Sequence, residues 1–184
     1  MKKELQEKLF EKYPELFVQK DWPMSETCMC QGVAVGTGWN HLIDKVCGYI
    51  DWHIKNSPYY YPQIQFTQVK QKFGFLRMYF TAIYPTKKEY KKLTKKKYLY
   101  FDMPKWKRWA DKCLGTSFGY KRLIRDLQRG YYYLDGVIHF AEEMSTEICE
   151  VCGKPGKLRD SRWVECDKCY KKKNSKNARW GTKK

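Results

Sequence analysis

Two C-x2-C pairs near the C-terminal end constrain the fold of this 184-residue chain more than any other feature. The first pair is Cys149 and Cys152, and the second is Cys166 and Cys169. A two-residue spacer lets one tight turn present two sulfur atoms to a single ion, and Zn²⁺ accepts four thiolates in a tetrahedron. Residues 157–165 can form a short hairpin that returns the second pair to the first. The spacing therefore predicts a zinc ribbon.

Four cysteine ligands predict a structural site, because they close the coordination sphere and leave no position for water or substrate. We expect one structural Zn²⁺, which supplies much of the folding free energy of a ribbon too small to build its own core. Two disulfides are the alternative, and they suit an exported protein. The charged N-terminal segment lacks the apolar stretch of a signal peptide, so we expect a reducing, cytoplasmic compartment.

Hydrophobic periodicity predicts an α+β fold, with a small antiparallel sheet packed on helices and a C-terminal zinc ribbon. Alternation over 63–83 indicates a β-hairpin with its turn near Phe73 and Gly74, and 98–101 is a candidate third strand. Proline and glycine positions, among them Gly115 and Gly130, divide the helical pattern into separate helices. The predicted helices are 2–12, 40–55, 104–114, 117–129 and 137–144.

The formal net charge of +17 is concentrated in the later two thirds of the chain. Residues 1–60 are balanced, with 7 basic and 8 acidic side chains, whereas 61–145 hold 18 and 7, and 146–184 hold 12 and 5. Seven of the lysines lie in a predicted exposed loop at 87–97. The predicted domains are an α+β core at 1–145 that contains this loop, the zinc ribbon at 146–170 and a basic tail at 171–184.

Basic side chains interleaved with aromatic rings are typical of proteins that neutralise phosphates and stack on unpaired bases. The tail, the ribbon and an arginine row on the predicted 117–129 helix provide both kinds of residue. The candidate nucleic-acid contacts are Lys171, Lys172, Lys173, Lys176, Arg179, Trp163, Tyr170, Trp180, Arg122, Arg125 and Arg129. A solubilising tail and an ordinary exposed helix face are the alternatives for the same residues.

A second metal site is a weaker hypothesis. The C-x-C pair of Cys28 and Cys30 could bind a metal together with Cys47 and His41, but no spacing rule sets the distances among these residues. Free thiols of this kind are more often buried, so the expectation is a single metal site in the ribbon.

Catalysis has little support in the sequence. His41, Asp44 and Asp51 lie near one another by helical spacing and could in principle serve a nuclease, although a solvated helix face explains them equally well. The chain contains no G-x-S-x-G, H-E-x-x-H or P-loop motif. We therefore expect a protein that is not an enzyme.

Three strings of the chain together resemble an uncharacterised family of small tailed-bacteriophage proteins with a C-terminal CxxC/CxxC zinc ribbon. The strings begin at Gly38, Val69 and Cys149 and read GWNHLI, VKQKFGFLR and CEVCGKPGKLR. The resemblance implies a viral source, and hence the cytoplasm of an infected bacterial host. It implies no established activity.

These observations favour a phage-encoded, non-enzymatic zinc-ribbon protein that binds DNA or RNA through basic and aromatic surfaces. The alternative is an inhibitor or adaptor that docks on a host or viral protein machine, such as a polymerase, a ribosome or a defence complex, or that binds an anionic nucleotide. No membrane partner is expected, because the mean hydropathy is −0.78 and no apolar stretch approaches the roughly 18 residues of a membrane span.

Overall fold

The structure is a computed structural model that describes residues 1–89, 105–160 and 162–180, without the side chains of 105–118 and 176–180. The chain divides into two compact units. Unit 1 combines Met1–Tyr49, Gln65–Thr81 and Gly136–Lys184, and unit 2 combines Ile50–Ile64 and Ala82–Asp135. The cysteine pairs therefore share a unit with the N-terminal segment and most of the β-hairpin.

The observed class is α+β, as predicted, with a small sheet packed on helices and a cysteine-bearing hairpin near the C-terminal end. In chain order the elements are α1 (Lys3–Lys12), β1 (Val33–Ala34), α2 (Asn40–Asn56), β2 (Gln63–Lys72), β3 (Phe75–Ile83), α3 (Lys105–Met144), β4 (Lys157–Arg159), β5 (Trp163–Glu165) and α4 (Asp167–Trp180). The predictions of α1, α2 and the β2–β3 hairpin with its turn at 73–74 are confirmed, because each has a clear hydrophobic period.

The core of unit 1 follows from those periods. Alternate side chains on the hairpin are buried, among them Phe66, Leu76 and Met78, and α2 buries Ile43 and Cys47 four residues apart. Full burial of each large apolar side chain contributes about 1.5–3 kcal/mol to stability. The sheet and α2 are thereby ordered by the same apolar surface.

The sheet has the strand order β1-β2-β3 and is mixed, since β1 pairs in parallel with β2 through Val33 opposite Val69. The predicted third strand at 98–101 lies outside the described residues. β1 was not predicted, because a strand of two residues has no measurable hydrophobic period. The side chain of Gln6 stabilises β1, since the Val33 N–H donates to Gln6 Oε1 at 2.7 Å.

A single helix, α3, extends over 40 residues where three shorter helices were predicted. The predicted breaks at Gly115 and Gly130 are wrong. Gly130 lies where a Cβ atom would be only 1.7 Å from the carbonyl oxygen of Tyr60, so this glycine permits a close backbone approach and does not end the helix. Despite its length, neither α3 nor any other helix within the described ranges is apolar enough over a sufficient stretch to cross a membrane.

Unit 2 has its own small core. Leu123 and Leu127, one turn apart on α3, are buried with Tyr59, and Tyr84 and Tyr120 pack against this cluster. The Tyr120 hydroxyl donates to the carbonyl of Pro85 at 3.1 Å. Aromatic rings therefore supply much of the apolar surface here, as the composition of the chain suggests.

The predicted lysine-rich loop at 87–97 lies mostly outside the described residues. Its first part is a helical turn at 87–89, which Thr86 caps. The Thr86 hydroxyl accepts from the Glu89 N–H at 3.3 Å, and the Glu89 carboxylate accepts from the Thr86 N–H at 2.7 Å. This reciprocal pair is a capping box, a signal for helix initiation that the sequence analysis overlooked.

Two alanine substitutions on α3 separate the role of a close approach from helix propensity. Gly130→Ala should destabilise the protein by about 2–3 kcal/mol, because its Cβ meets the Tyr60 backbone. Gly136→Ala should stabilise by about 0.5–1 kcal/mol, because a Cβ at that position meets no atom within 4 Å and alanine has the better helix propensity. Urea denaturation followed by circular dichroism measures both, and equal effects at the two positions would contradict the assignment.

Candidate metal centre

The four predicted ligands come together in unit 1. Cys149 and Cys152 lie on a turn before the β4–β5 hairpin, and Cys166 and Cys169 lie at the start of α4. The sulfur atoms of all four lie within 4.8 Å of one another, and those of Cys152 and Cys166 are 3.7 Å apart. The antiparallel β4–β5 pairing, with Lys157 opposite Glu165, returns the second pair to the first. The predicted hairpin between the pairs is confirmed.

The sulfur positions fit one tetrahedral ion. Zinc–sulfur bonds of about 2.3 Å place the sulfurs of a regular tetrahedron about 3.8 Å apart, close to the observed Cys152–Cys166 separation. Four thiolates around a divalent ion also carry a formal charge of −2. The cluster could therefore hold a metal ion that is fully surrounded by protein sulfur.

The backbone of the first cysteine turn has the conformation that such a site requires. Gly153 has φ of 74°, a left-handed conformation that side-chain-bearing residues rarely adopt. Its N–H donates to the carbonyl of Cys149 at 2.8 Å, and the Cys149 N–H donates to the carbonyl of Lys154 at 2.7 Å. These two bonds close the turn and direct both sulfurs to one side.

The thiols have unequal acidities. The N–H of Cys169 donates to the Cys166 sulfur and lowers the pKa of Cys166 to about 7. Burial, followed by the neighbouring sulfurs, raises the pKa of Cys169 to about 12. A second thiolate beside the first is thus unfavourable without a cation. A bound divalent ion would displace the remaining protons.

A segment far away in the sequence holds the first cysteine turn. The N–H of Gly38 donates to the carbonyl of Glu150 at 2.7 Å, and the indole N–H of the fully buried Trp39 donates to the carbonyl of Ile148 at 2.7 Å. A Cβ on Gly38 would lie 2.1 Å from the carbonyl oxygen of Cys149. Residues 36–39, here termed the glycine clamp, therefore pack backbone against backbone on the candidate metal site.

The glycine clamp also binds a buried carboxylate. The N–H of Gly36 donates to Glu150 Oε1 at 3.1 Å, and a Cβ on Gly36 would lie 2.2 Å from the Glu150 carbonyl oxygen. This role of the clamp was not predicted from the sequence. The motif Gly-x-Gly-Trp at 36–39 is the sequence signal that could have indicated a close backbone approach.

The tip of the β2–β3 hairpin contacts the ribbon from another side. The side-chain amide of Gln71 donates to the carbonyl of Arg162. Gly74 is buried, and a Cβ there would lie 2.3 Å from the Leu158 side chain. The ribbon is thus held by contacts with two segments of unit 1, the glycine clamp and the hairpin tip.

A basic side chain of the protein lies against each of two rings that were predicted to stack on bases. The ammonium of Lys173 lies 5.0 Å from the Trp163 ring centre and 3.4 Å from the buried carboxylate of Glu165. The Arg159 guanidinium lies 4.7 Å from the centre of the Tyr170 ring and forms an ion pair with Asp167. These contacts pack β4 and β5 against α4, so Lys173, Trp163 and Tyr170 have structural roles.

The other predicted nucleic-acid contacts are divided between the surface and the core. Lys171 and Lys172 are exposed on α4, and Arg125 and Arg129 are exposed on α3. Arg122 is only 7% exposed, so the prediction that it faces outward is wrong. Arg122 lies on the same buried face of α3 as Leu123 and Leu127. This face continues past Gly130, where a helix end was predicted. The side chains of Lys176, Arg179 and Trp180 lie outside the described part of α4.

The alternative metal site gains no further ligands among the described residues, and both acidic residues of the alternative nuclease site form ion pairs. Over the described ranges, the ribbon cysteines are the one group of three or more side chains able to share a metal ion, so Cys28 and Cys30 gain no such partners. Asp44 binds Lys12 at 2.7 Å, and Asp51 binds Lys55 at 2.8 Å.

The fold and the site together describe an α+β protein with a four-cysteine cluster that could hold a metal ion. No protein-family model, no curated protein and no solved structure matches this chain. The resemblance to a tailed-phage family therefore stays a prediction from the three sequence strings.

A change in the glycine clamp should weaken metal binding although no ligand is altered. Gly38→Ala places its Cβ against the backbone of the first cysteine turn, and the cost of about 2 kcal/mol corresponds to about 30-fold weaker metal affinity. Titration with Co²⁺, followed by its visible absorption in thiolate coordination, measures this affinity. Gly136→Ala is the matched control and should bind Co²⁺ as the wild type does. Wild-type affinity in Gly38→Ala would refute the coupling.

Proposed function

We propose that this protein is a non-enzymatic zinc-ribbon protein that binds nucleic acid through a lysine-lined groove beside its metal centre. Zinc is the ion that four thiolates in a tetrahedral arrangement favour. Because all four positions around the ion would be sulfur, the ion would order the ribbon and leave no place for a substrate. The groove carries the functional part of the proposal.

The supporting observation is the composition of this groove. It is lined by Lys154, Lys168, Lys172 and Lys173, by the exposed side of the cysteine cluster and by one acidic residue, Glu165. The Glu165 carboxylate is buried and already paired with Lys173. Three lysines are therefore left around the groove, whose lining is mostly carbon, and cations placed around a concave surface concentrate anions.

The spacing of these lysines suits a polyanion. Lys168 and Lys172 are one helical turn apart on α4, so both project from the same side of the helix. Lys171 is exposed next to them, and Lys154 approaches from the first cysteine turn. The ribbon thus presents lysines from α4 and from the first cysteine turn, and the distance between these two elements depends on the metal centre. A phosphate backbone has the repeated charge that such an array recognises.

The salt dependence of binding tests this proposal. The double variant Lys168→Gln/Lys172→Gln should lower the slope of log K against log salt by about 1.4 for single strands and about 1.8 for duplex, because two phosphate contacts are lost. Fluorescence anisotropy with labelled DNA and RNA, in single- and double-stranded form, gives these slopes.

The matched control removes two lysines from elsewhere in unit 1. Lys2→Gln/Lys8→Gln has the same net charge as the groove variant and changes exposed side chains of the N-terminal segment. It should keep the wild-type slope. Equal slopes for the two double variants would place phosphate binding outside the groove, and wild-type protein that binds no nucleic acid at about 50 mM salt would refute the function.

A second candidate function, docking on a protein partner, is favoured by an aromatic surface in unit 2. The rings of Trp52 and His53 are 4.9 Å apart, and His53 lies 4.8 Å from Tyr61 and 5.7 Å from Tyr133. Trp52 and Tyr133 are exposed. Clustered exposed aromatic side chains are typical of the centres of protein–protein interfaces.

Affinity purification in the presence of nuclease distinguishes this candidate. A stoichiometric protein partner that is retained by the groove variant and lost by Trp52→Ala/Tyr133→Ala would support docking. Recovery that disappears with nuclease would favour nucleic acid. A partner that binds all three forms equally would exclude the aromatic surface.

A further inference from the structure

The tip of the β2–β3 hairpin has an unfavourable residue in its turn. Phe73 and Gly74 have φ of 52° and 85°, so both central residues of this two-residue turn are left-handed. Turns of this type favour asparagine or aspartate followed by glycine. A bulky side chain at the first position is disfavoured, because its Cβ crowds the neighbouring backbone. The turn would therefore form more easily with asparagine in place of Phe73.

Most of the phenylalanine ring is exposed to solvent. The Phe73 side chain is 65% exposed, and within the described residues no aromatic ring or cation lies against it. This distinguishes it from Trp163 and Tyr170, since Lys173 and Arg159 each place a cation against one of these rings. Residues in strained backbone conformations cluster at functional sites.

The hairpin tip is nevertheless held firmly against the ribbon. Gly74 packs on Leu158, and Gln71 binds the carbonyl of Arg162. The next residue, Phe75, starts β3 and carries the Arg77 guanidinium 5.1 Å from its ring centre. Phe73 is thus an exposed ring on a fixed backbone, which loses little conformational entropy when it binds a flat ligand.

The charges around the tip favour an anionic ligand. Lys72 precedes the turn and is exposed, and Arg162 and Lys157 are exposed on the adjoining ribbon hairpin. Asp160 is the exposed acid of the same hairpin. An accessible ring bordered by more cations than anions matches the way in which proteins hold unpaired nucleotides, with the base on the ring and the phosphates on the cations.

We infer that Phe73 is a base-stacking residue that selects single-stranded over double-stranded nucleic acid. The inference rests on the proposed nucleic-acid function and extends it, because the lysine groove accounts for phosphate binding but not for a preference between paired and unpaired strands. A base within a duplex is already stacked on its neighbours and does not expose a face to Phe73.

Phe73→Asn is the decisive variant, since folding and binding should respond in opposite directions. Asparagine suits the turn, so the melting temperature should rise. The affinity for a labelled single-stranded oligonucleotide should fall by roughly 5- to 150-fold, the loss of one stacked base. The slope of log K against log salt and the affinity for duplex should both stay at their wild-type values.

Two further variants serve as controls. Phe73→Tyr keeps an aromatic face and should retain single-strand binding. Phe140→Ala removes an equally exposed phenylalanine, 69% exposed on α3, and should leave both affinities unchanged.

The outcomes separate this inference from the function on which it rests. Wild-type protein that binds no nucleic acid refutes both. Salt-dependent wild-type binding with equal single-strand affinity in Phe73→Asn refutes the stacking role alone. A lower melting temperature with unchanged affinity would assign Phe73 to folding, and loss of a co-purified protein with unchanged affinity would assign it to a protein interface. Each of these two results overturns the inference.

Discussion

The close backbone approach between the glycine clamp and the first cysteine turn is the constraint on which the rest of unit 1 depends. Gly36 and Gly38 lie where any Cβ would overlap the backbone of residues 149 and 150. Trp39 extends this contact into the core, since it is fully buried and donates to the carbonyl of Ile148. The candidate metal site and the core are therefore linked, because the turn that presents two sulfurs is also a packing surface.

Internal ion pairs and burial reduce the number of basic side chains that this highly charged protein exposes. Lys173 and Arg159 form ion pairs within the ribbon, and Arg122 is buried in α3. By contrast, Lys154, Lys168 and Lys172 line a groove in which Glu165, the one acidic residue among its described lining residues, is paired with Lys173. The ion pairs and the burial thus determine which cations of this basic protein are left exposed.

Local patterns predicted much of the fold, and they failed where a residue acts through a distant neighbour. The periods of α1, α2 and the hairpin are visible in the sequence, because buried positions recur every 3.6 or 2 residues. Gly130 looked like a helix end, yet its role depends on the Tyr60 carbonyl. The short strand β1 has no period of its own, and it exists through its pairing with Val69 and Lys70.

By itself the sequence determined the four-cysteine cluster, since the spacing within each C-x2-C pair and the hairpin between the pairs are local properties. It also determined the α+β class through the hydrophobic periods. Only the tertiary structure decided that the glycine clamp holds the cluster, that Arg122 is buried, and that Phe73 is exposed in a strained turn. These features arise from contacts between residues far apart in the chain, and no local pattern records which distant segments will meet.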